Sequence, residues 1–147
     1  MTTINLALNI QVVGGPQIAI SKSKSIEAYD KVEVSIDNGA SDKKVDIQPG
    51  DVGQLTLILI KSNAYHDNQN SGTFTLSYKV SDGNTDSSSI NLDEPQIYIG
   101  SGAISLFSKD KDATPIAPKL LKFTCSSTDP NKKNAPIEIL VGRDATP

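Results

Sequence analysis

The side chains best suited to acid-base chemistry in this sequence lie in one polar segment. His66 is the only histidine of the chain, and Asp67 and Asn68 follow it directly. An imidazole can act as a general base near neutral pH, but nucleophilic catalysis also needs a nucleophile and an orienting group within hydrogen-bond reach. The sequence contains no G-x-S-x-G elbow, which would present a serine nucleophile. We therefore predict that the protein is not an enzyme.

The segment around His66 is a better candidate for ligand contacts. Loops between strands often carry binding residues, and sugar sites combine an aromatic platform with hydrogen-bonding groups. The chain has no tryptophan, so a tyrosine would have to serve as that platform. A plain connection between strands is the alternative interpretation. The predicted ligand-binding residues are Tyr65, His66, Asp67, Asn68 and Asn70.

A second polar segment resembles the first half of a calcium-binding loop. Asp82, Asn84 and Asp86 place oxygen-bearing side chains at alternate positions, which is the spacing that calcium loops use. Ser87 stands where such loops have a glycine, and the segment lacks the apolar pattern of flanking helices. Because Asp-Gly is also a typical pair of a tight hairpin turn, calcium binding and a plain turn both remain as interpretations. We predict no other cofactor.

Charge and hydropathy argue against nucleic acid and membrane as partners. The chain has 14 basic and 17 acidic residues, which leave no surplus positive charge for a phosphate backbone. Its longest apolar run, residues 55–60, is far too short for a membrane-spanning helix. The first residues lack the pattern of a signal peptide. We therefore expect a cytoplasmic protein, with incorporation into a particle or leaderless export as alternatives.

The alternation of apolar and polar residues predicts an all-β chain with little helix. A single cysteine, Cys125, cannot form an intramolecular disulfide, so the fold depends on its apolar core. About ten short strands separated by Gly, Pro, Asn and Asp predict one domain over residues 1–147, an antiparallel β-sandwich of jelly-roll type. The clearest alternations lie at residues 4–12, 32–36, 74–80 and 137–141.

More detailed predictions concern the strand partners. Residues 55–60 are apolar on both faces, which predicts a central strand that is covered on both sides or that meets a neighbouring subunit. Turn sequences predict two hairpins, one between residues 31–37 and 43–48 and one between residues 73–80 and 86–92. Residues 103–107 are predicted to form a short strand, and residues 23–30 have the nearest approach to a helical pattern.

Self-association is the leading functional hypothesis. An open sandwich has edge strands that need protection, and pairing with another subunit both protects them and creates a homo-oligomer. The strand-rich layout, which lacks tryptophan and ends on the alternation at 137–141, is similar to that of small jelly-roll components of phage particles. The sequence thus predicts a structural or interaction protein that self-associates, such as a particle component. A carbohydrate- or calcium-binding module is the alternative.

Overall fold

A computed structural model describes residues 1–47, 54–69 and 73–144 of the chain. Within these ranges there are ten strands and one short helix, and no helix is long and apolar enough to cross a membrane. The elements are β1 (Thr2–Gln11), β2 (Gln17–Ile26), β3 (Ala28–Asp37), β4 (Lys43–Asp46), β5 (Leu55–Ser62), β6 (Phe74–Ser81), β7 (Ile90–Asn91), β8 (Gln96–Ile99), α1 (Ser101–Phe107), β9 (Leu120–Ser127) and β10 (Asn134–Arg143).

Strands β3 to β10 form a body of two antiparallel sheets packed face to face. Sheet I has the order β3-β10-β5-β8, and sheet II has the order β4-β9-β6-β7. The pairs are nested, because β3 pairs with β10, β4 with β9, β5 with β8 and β6 with β7. The first and last strands of the body are therefore neighbours. The predicted all-β sandwich is confirmed.

The hydrophobic core fills the space between the two sheets. Every second residue of a strand points to the same face, and the residues that the alternation marks as apolar are the buried ones. Cys125 is among them, as expected, and its burial raises the pKa of the thiol. The central core residues are Ile58, Ile60, Phe74, Leu76, Tyr78, Val80, Leu121, Phe123, Cys125, Ile137, Ile139 and Val141.

The structure corrects one prediction of local structure. Residues 101–107 form helix α1, although residues 103–107 were predicted to be a strand. Ile104 and Phe107 lie three positions apart, so both reach the core from one side of the helix, where the Phe107 ring lies 4.8 Å from that of Tyr98. A short apolar run fits both the period of a strand and the period of a helix, so the sequence does not distinguish the two. The helix-like residues 23–30 instead form the end of β2 and the start of β3.

One of the two predicted hairpins is also wrong. β3 and β4 belong to different sheets, so residues 31–37 do not pair with residues 43–46, whereas Gln48 lies outside the described residues. Their connection crosses an end of the sandwich, where Asn38 exchanges hydrogen bonds of 3.0 and 2.8 Å with the backbone of Ser127 in β9. The other hairpin is confirmed at two positions, since Ser77 and Tyr78 of β6 pair with Asn91 and Ile90 of β7.

Strands β1 and β2 form a separate two-stranded hairpin, which we call the arm (residues 2–26). Ten residue pairs hold it together in regular antiparallel register, from Thr2 with Ile26 to Gln11 with Gln17. The turn between the strands includes Gly14, which has a φ of +74°. Every residue from 7 to 23 is exposed. The distal part of the arm therefore extends from the body into solvent.

The base of the arm packs on the outer face of sheet I. Ile26 is fully buried there, and Gly142 of β10 provides the space. A Cβ atom at Gly142 would lie 3.3 Å from Cδ1 of Ile26, 3.3 Å from Cβ of Leu57 and 3.5 Å from Cδ1 of Ile4. The arm and the sheet thus approach each other closely because this position has no side chain. An ion pair of 2.7 Å between Arg143 of β10 and Asp30 of β3 links these two strands next to the base of the arm.

Replacing Gly142 with a larger residue should loosen the base of the arm. In Gly142→Val, the added methyl groups must displace Ile26 and Leu57, and overpacking of this kind costs about 1–3 kcal/mol of folding free energy. Denaturant unfolding and limited proteolysis of the arm would measure the effect. Gly102→Ala is a suitable control, because a Cβ atom there meets nothing within 4 Å. Unchanged unfolding of Gly142→Val would contradict this packing.

Candidate functional site

The predicted ligand-binding segment lies at one end of the sandwich. Tyr65 to Asn68 line a shallow depression of about 440 Å³, together with Asp93, Glu94 and Lys132. The structure thus brings four of the predicted residues side by side, whereas Asn70 lies outside the described residues. The Tyr65 ring packs against the core, and its hydroxyl accepts a hydrogen bond of 3.1 Å from the backbone N–H of Ser62. Its ring is therefore not a free stacking platform.

His66 has a structural role at the edge of sheet II. Its backbone N–H donates to the carbonyl of Leu92 over 2.8 Å, and its Nδ1 accepts from the backbone N–H of Leu76 over 3.2 Å. The carbonyl of Leu76 accepts a hydrogen bond of 2.9 Å from the backbone N–H of Leu92, directly after the two-residue strand β7. The imidazole provides the acceptor for the N–H of the same residue. Its Nδ1 is thereby engaged, and the arrangement does not resemble a general base beside a nucleophile.

The neighbouring side chains also bond within the protein. Asp67 accepts a hydrogen bond of 2.9 Å from the backbone N–H of Gln69, a side-chain turn that fixes the loop. Asn68 donates to the carboxylate of Asp93 over 2.8 Å. These contacts shape the depression from within. Asp67, Asn68 and Asp93 thus have partners from the protein itself.

The two carboxylates of the predicted calcium segment serve different purposes. Asp82 accepts hydrogen bonds of 2.7 and 2.8 Å from the backbone N–H groups of Thr85 and Asn84, which close the turn and lower the pKa of its carboxyl. Asp86 forms a half-buried ion pair of 2.8 Å with Lys122, which likewise lowers its pKa. Lys122 thus occupies the position beside Asp86 that a cation would need. Across residues 1–47, 54–69 and 73–144, no cluster of three potential metal ligands occurs.

The apolar face of the arm is a surface that the sequence analysis missed. Cross-strand partners share a face, so the pairs Leu8 with Ile20 and Ile10 with Ile18 lie on the same side of the ribbon. Val12 continues this side toward the turn. The five side chains are between 38% and 60% exposed. Their alternation indicated a strand with one apolar face, but a period of two does not reveal whether that face is covered.

The opposite face of the arm is polar. Asn5 accepts a hydrogen bond of 2.7 Å from the hydroxyl of Ser23, and Asn9 accepts one of 2.8 Å from the side-chain amide of Gln17. These contacts hold the two strands together on the side that faces water. The arm is thus a two-sided ribbon with hydrogen-bonding side chains on one face and aliphatic side chains on the other.

A second apolar surface lies on the outer face of sheet I. Leu140, Leu59 and Ile97 stand side by side on β10, β5 and β8, and we call them the apolar row. Ile97 is 44% exposed, and the two leucines are half-buried. A depression of about 330 Å³ lies over Leu59 and Leu140. The two-sided apolar character of β5 thus has two explanations, because the arm covers Leu57 whereas Leu59 remains accessible.

Charged residues border the apolar row on one side. Lys61 contacts Glu138 at 2.8 Å, and Lys31 contacts Glu138 at 3.5 Å and Glu33 at 2.7 Å. The hydrogen bond from Lys61 lowers the pKa of the Glu138 carboxyl, and hydrogen bonds to the glutamates raise the pKa of both lysines. The outer face of sheet I therefore changes from apolar near the arm to ionic farther along the strands.

Comparisons of the chain with protein-family models, with curated proteins and with solved structures find no match. The functional interpretation therefore depends on the surfaces described above.

Removing the imidazole of His66 should destabilise sheet II. In His66→Ala, the backbone N–H of Leu76 loses its acceptor, and an unsatisfied partly buried donor costs about 1–3 kcal/mol of folding free energy. His66→Asn is the matched control, because its side-chain oxygen can take the position of Nδ1. Denaturant unfolding of the three proteins would test the role. Equal stability of His66→Ala and the parent protein would show that this hydrogen bond contributes nothing.

The ion pair of Asp86 should make stability depend on pH. Because the pKa of Asp86 is lower in the folded than in the unfolded chain, its contribution is present above the unfolded pKa, about 4, and disappears as the pH falls through the folded pKa. Asp86→Asn should therefore cost about 1 kcal/mol at pH 7 and much less near pH 2. Asp112→Asn, in an exposed ion pair, is the control. Unfolding curves at several pH values would measure the effect. A loss of stability in Asp86→Asn that is the same at pH 7 and near pH 2 would contradict the prediction.

Proposed function

We propose that this protein is a non-enzymatic structural protein that assembles with further copies of itself through the arm. The observation that carries the proposal is the apolar face formed by Leu8, Ile10, Val12, Ile18 and Ile20, which no other part of the described chain covers. Contiguous apolar surface that is exposed on a folded domain commonly marks an interaction site.

The physical instability of an isolated arm supports the proposal. A two-stranded hairpin without a third strand or a packed face is at best marginally stable in water. The base of the arm has such a packed face on sheet I, but residues 7–23 have none. Contact with another molecule would bury the aliphatic side chains, and each full burial contributes about 1.5–3 kcal/mol. Assembly would thus stabilise the part of the chain that most lacks support.

We also propose that the body is a jelly roll. Its support is the nested pairing of eight strands over two four-stranded sheets, in which the first strand is next to the last and each inner pair repeats that relation. Jelly rolls occur in viral capsid proteins and in lectins, so the fold alone does not select a function. Combined with an arm, it favours a component of a particle in which arms connect the copies.

The alternative, a carbohydrate- or calcium-binding module, has less support. The tyrosine that would stack on a sugar packs against the core, and both carboxylates of the calcium segment bond to groups of the protein itself. No observation in these loops singles out a ligand. Self-association therefore remains the leading hypothesis for function.

The arm should control the mass of the protein in solution. Light scattering after size exclusion should detect an oligomer that dissociates on dilution. Ile10→Lys with Ile18→Glu should shift it to the monomer, because the substitutions remove the apolar face while opposite charges at paired positions preserve the hairpin.

The matched control carries the same charges on the polar face. Ala7→Lys with Ser21→Glu changes another directly paired position of the arm and should leave the oligomer intact. A parent protein that stays monomeric at all concentrations would refute self-association. An oligomer that both double variants retain would refute the role of the arm.

A further inference from the structure

We infer that the arm of one copy docks on the apolar row of a second copy, on the outer face of sheet I. The inference rests on the proposed self-association and names the surface that receives the arm. The donor is the apolar face at Leu8, Ile10, Val12, Ile18 and Ile20, and the acceptor is Leu59, Leu140 and Ile97.

The two surfaces already meet within one chain. At its base, the arm packs its apolar face against the outer face of sheet I, where Ile4 and Ile26 lie over Leu57 and Gly142. The distal residues of the arm continue the same face, because Ile4, Leu8 and Ile10 all have even numbers along one strand. The apolar row continues the acceptor surface, since Leu59 follows Leu57 by two residues on β5. Donor and acceptor are therefore extensions of an existing contact.

The dimensions of the two surfaces match. The apolar row extends over three adjacent strands of sheet I, which are spaced about 4.8 Å apart, so it is roughly 10 Å wide. A two-stranded ribbon presents two strands at the same spacing. Laying it over the row would be ordinary packing of one sheet on another. The depression of about 330 Å³ over Leu59 and Leu140, which Lys31, Lys61 and Glu138 border, provides space over the two leucines for a projecting isoleucine.

The charges favour contact between an arm and a body over contact between two arms. Lys22 and Lys24 are the only charged side chains among residues 2–26, and both lie on the apolar face of the arm. All seventeen acidic residues and twelve of the fourteen basic ones lie elsewhere in the chain. Two arms packed face to face would bring four lysines together. An arm on sheet I would instead meet a surface whose two lysines, Lys31 and Lys61, are already paired with Glu33 and Glu138, so it would bring less uncompensated positive charge together.

Contact of this kind is heterologous, because each copy uses one surface to donate and a different one to accept. Repetition of a heterologous contact produces a ring where the rotation closes and a filament where it does not. The contact also makes a specific prediction for mixtures. A copy that only donates and a copy that only accepts should form a pair that cannot grow.

A complementation experiment would test this prediction. The acceptor-only protein carries Ile10→Lys with Ile18→Glu, and the donor-only protein carries Ile97→Lys with Leu140→Glu. Each should be monomeric alone, with self-affinity reduced at least about tenfold, which corresponds to the loss of one buried aliphatic contact. An equimolar mixture should form a 1:1 heterodimer. Leu106→Lys, at an exposed leucine on α1, is the control and should assemble like the parent protein.

Cysteine cross-linking provides a second measurement that does not depend on charge substitutions. Ile18→Cys and Ile97→Cys, placed in separate molecules that are then mixed, should form a mixed disulfide under mild oxidation. Ala19→Cys on the polar face of the arm should not react with Ile97→Cys. The native Cys125 is buried and does not compete. Thermal unfolding of each variant should confirm that it is folded before mixing.

The outcomes separate this inference from the proposed function. Mixed disulfides together with heterodimers would support docking on the apolar row. Assembly without complementation, accompanied by disulfides only between two Ile18→Cys arms, would overturn the inference and leave self-association intact. A monomeric parent protein would overturn both. A disulfide within one molecule of the double variant Ile18→Cys with Ile97→Cys would show that the arm folds onto its own body, which also overturns the inference.

Discussion

The pairing of β3 with β10 is the constraint on which the rest of this structure depends. It joins the two ends of the body, and the remaining strand pairs nest within it. The same pairing creates the seat of the arm, since Gly142 of β10 lies beneath Ile26 and Arg143 pairs with Asp30. These contacts at its base orient the arm relative to the body. A defect in this one pairing would therefore affect the core and the arm together.

The polar groups of this protein are mostly committed to its own backbone. His66 accepts a hydrogen bond from the backbone of β6, Asp82 closes a turn, and Asn38 holds a crossing between the sheets. Side chains that the sequence offers as candidates for chemistry thus form hydrogen bonds with backbone groups of the fold. Within the described part of the chain, exposed apolar side chains lie close together on the arm and on sheet I. This distribution is expected when recognition occurs between proteins rather than between a protein and a small polar ligand.

Periodicity predicted which residues share a face, and the structure confirms that pattern at residues 4–12, 74–80 and 137–141 and in the central strand at 55–60. It failed where an element is too short to show a period, as in α1, and where a partner is distant in sequence, as for β3. Residues 63–69 lie between strands, as the polar segment indicated, yet their hydrogen bonds depend on strands that only folding brings near. The exposure of the arm was beyond prediction for the same reason, because burial is a property of the assembled fold.

The nested order of the strands also determines when, during synthesis, the arm can pack on the body. The arm leaves the ribosome before the body does, but its seat on Gly142 and the apolar row at Leu140 belong to β10, the last strand of the body. Long-range pairing of this kind forms slowly, and unfinished chains expose apolar segments. A nascent chain therefore has the donor surface before it has an acceptor. Under the proposed docking, the arm of an unfinished chain would find an apolar row only on a finished copy. Completed protein would then act as a partner for chains that are still being made.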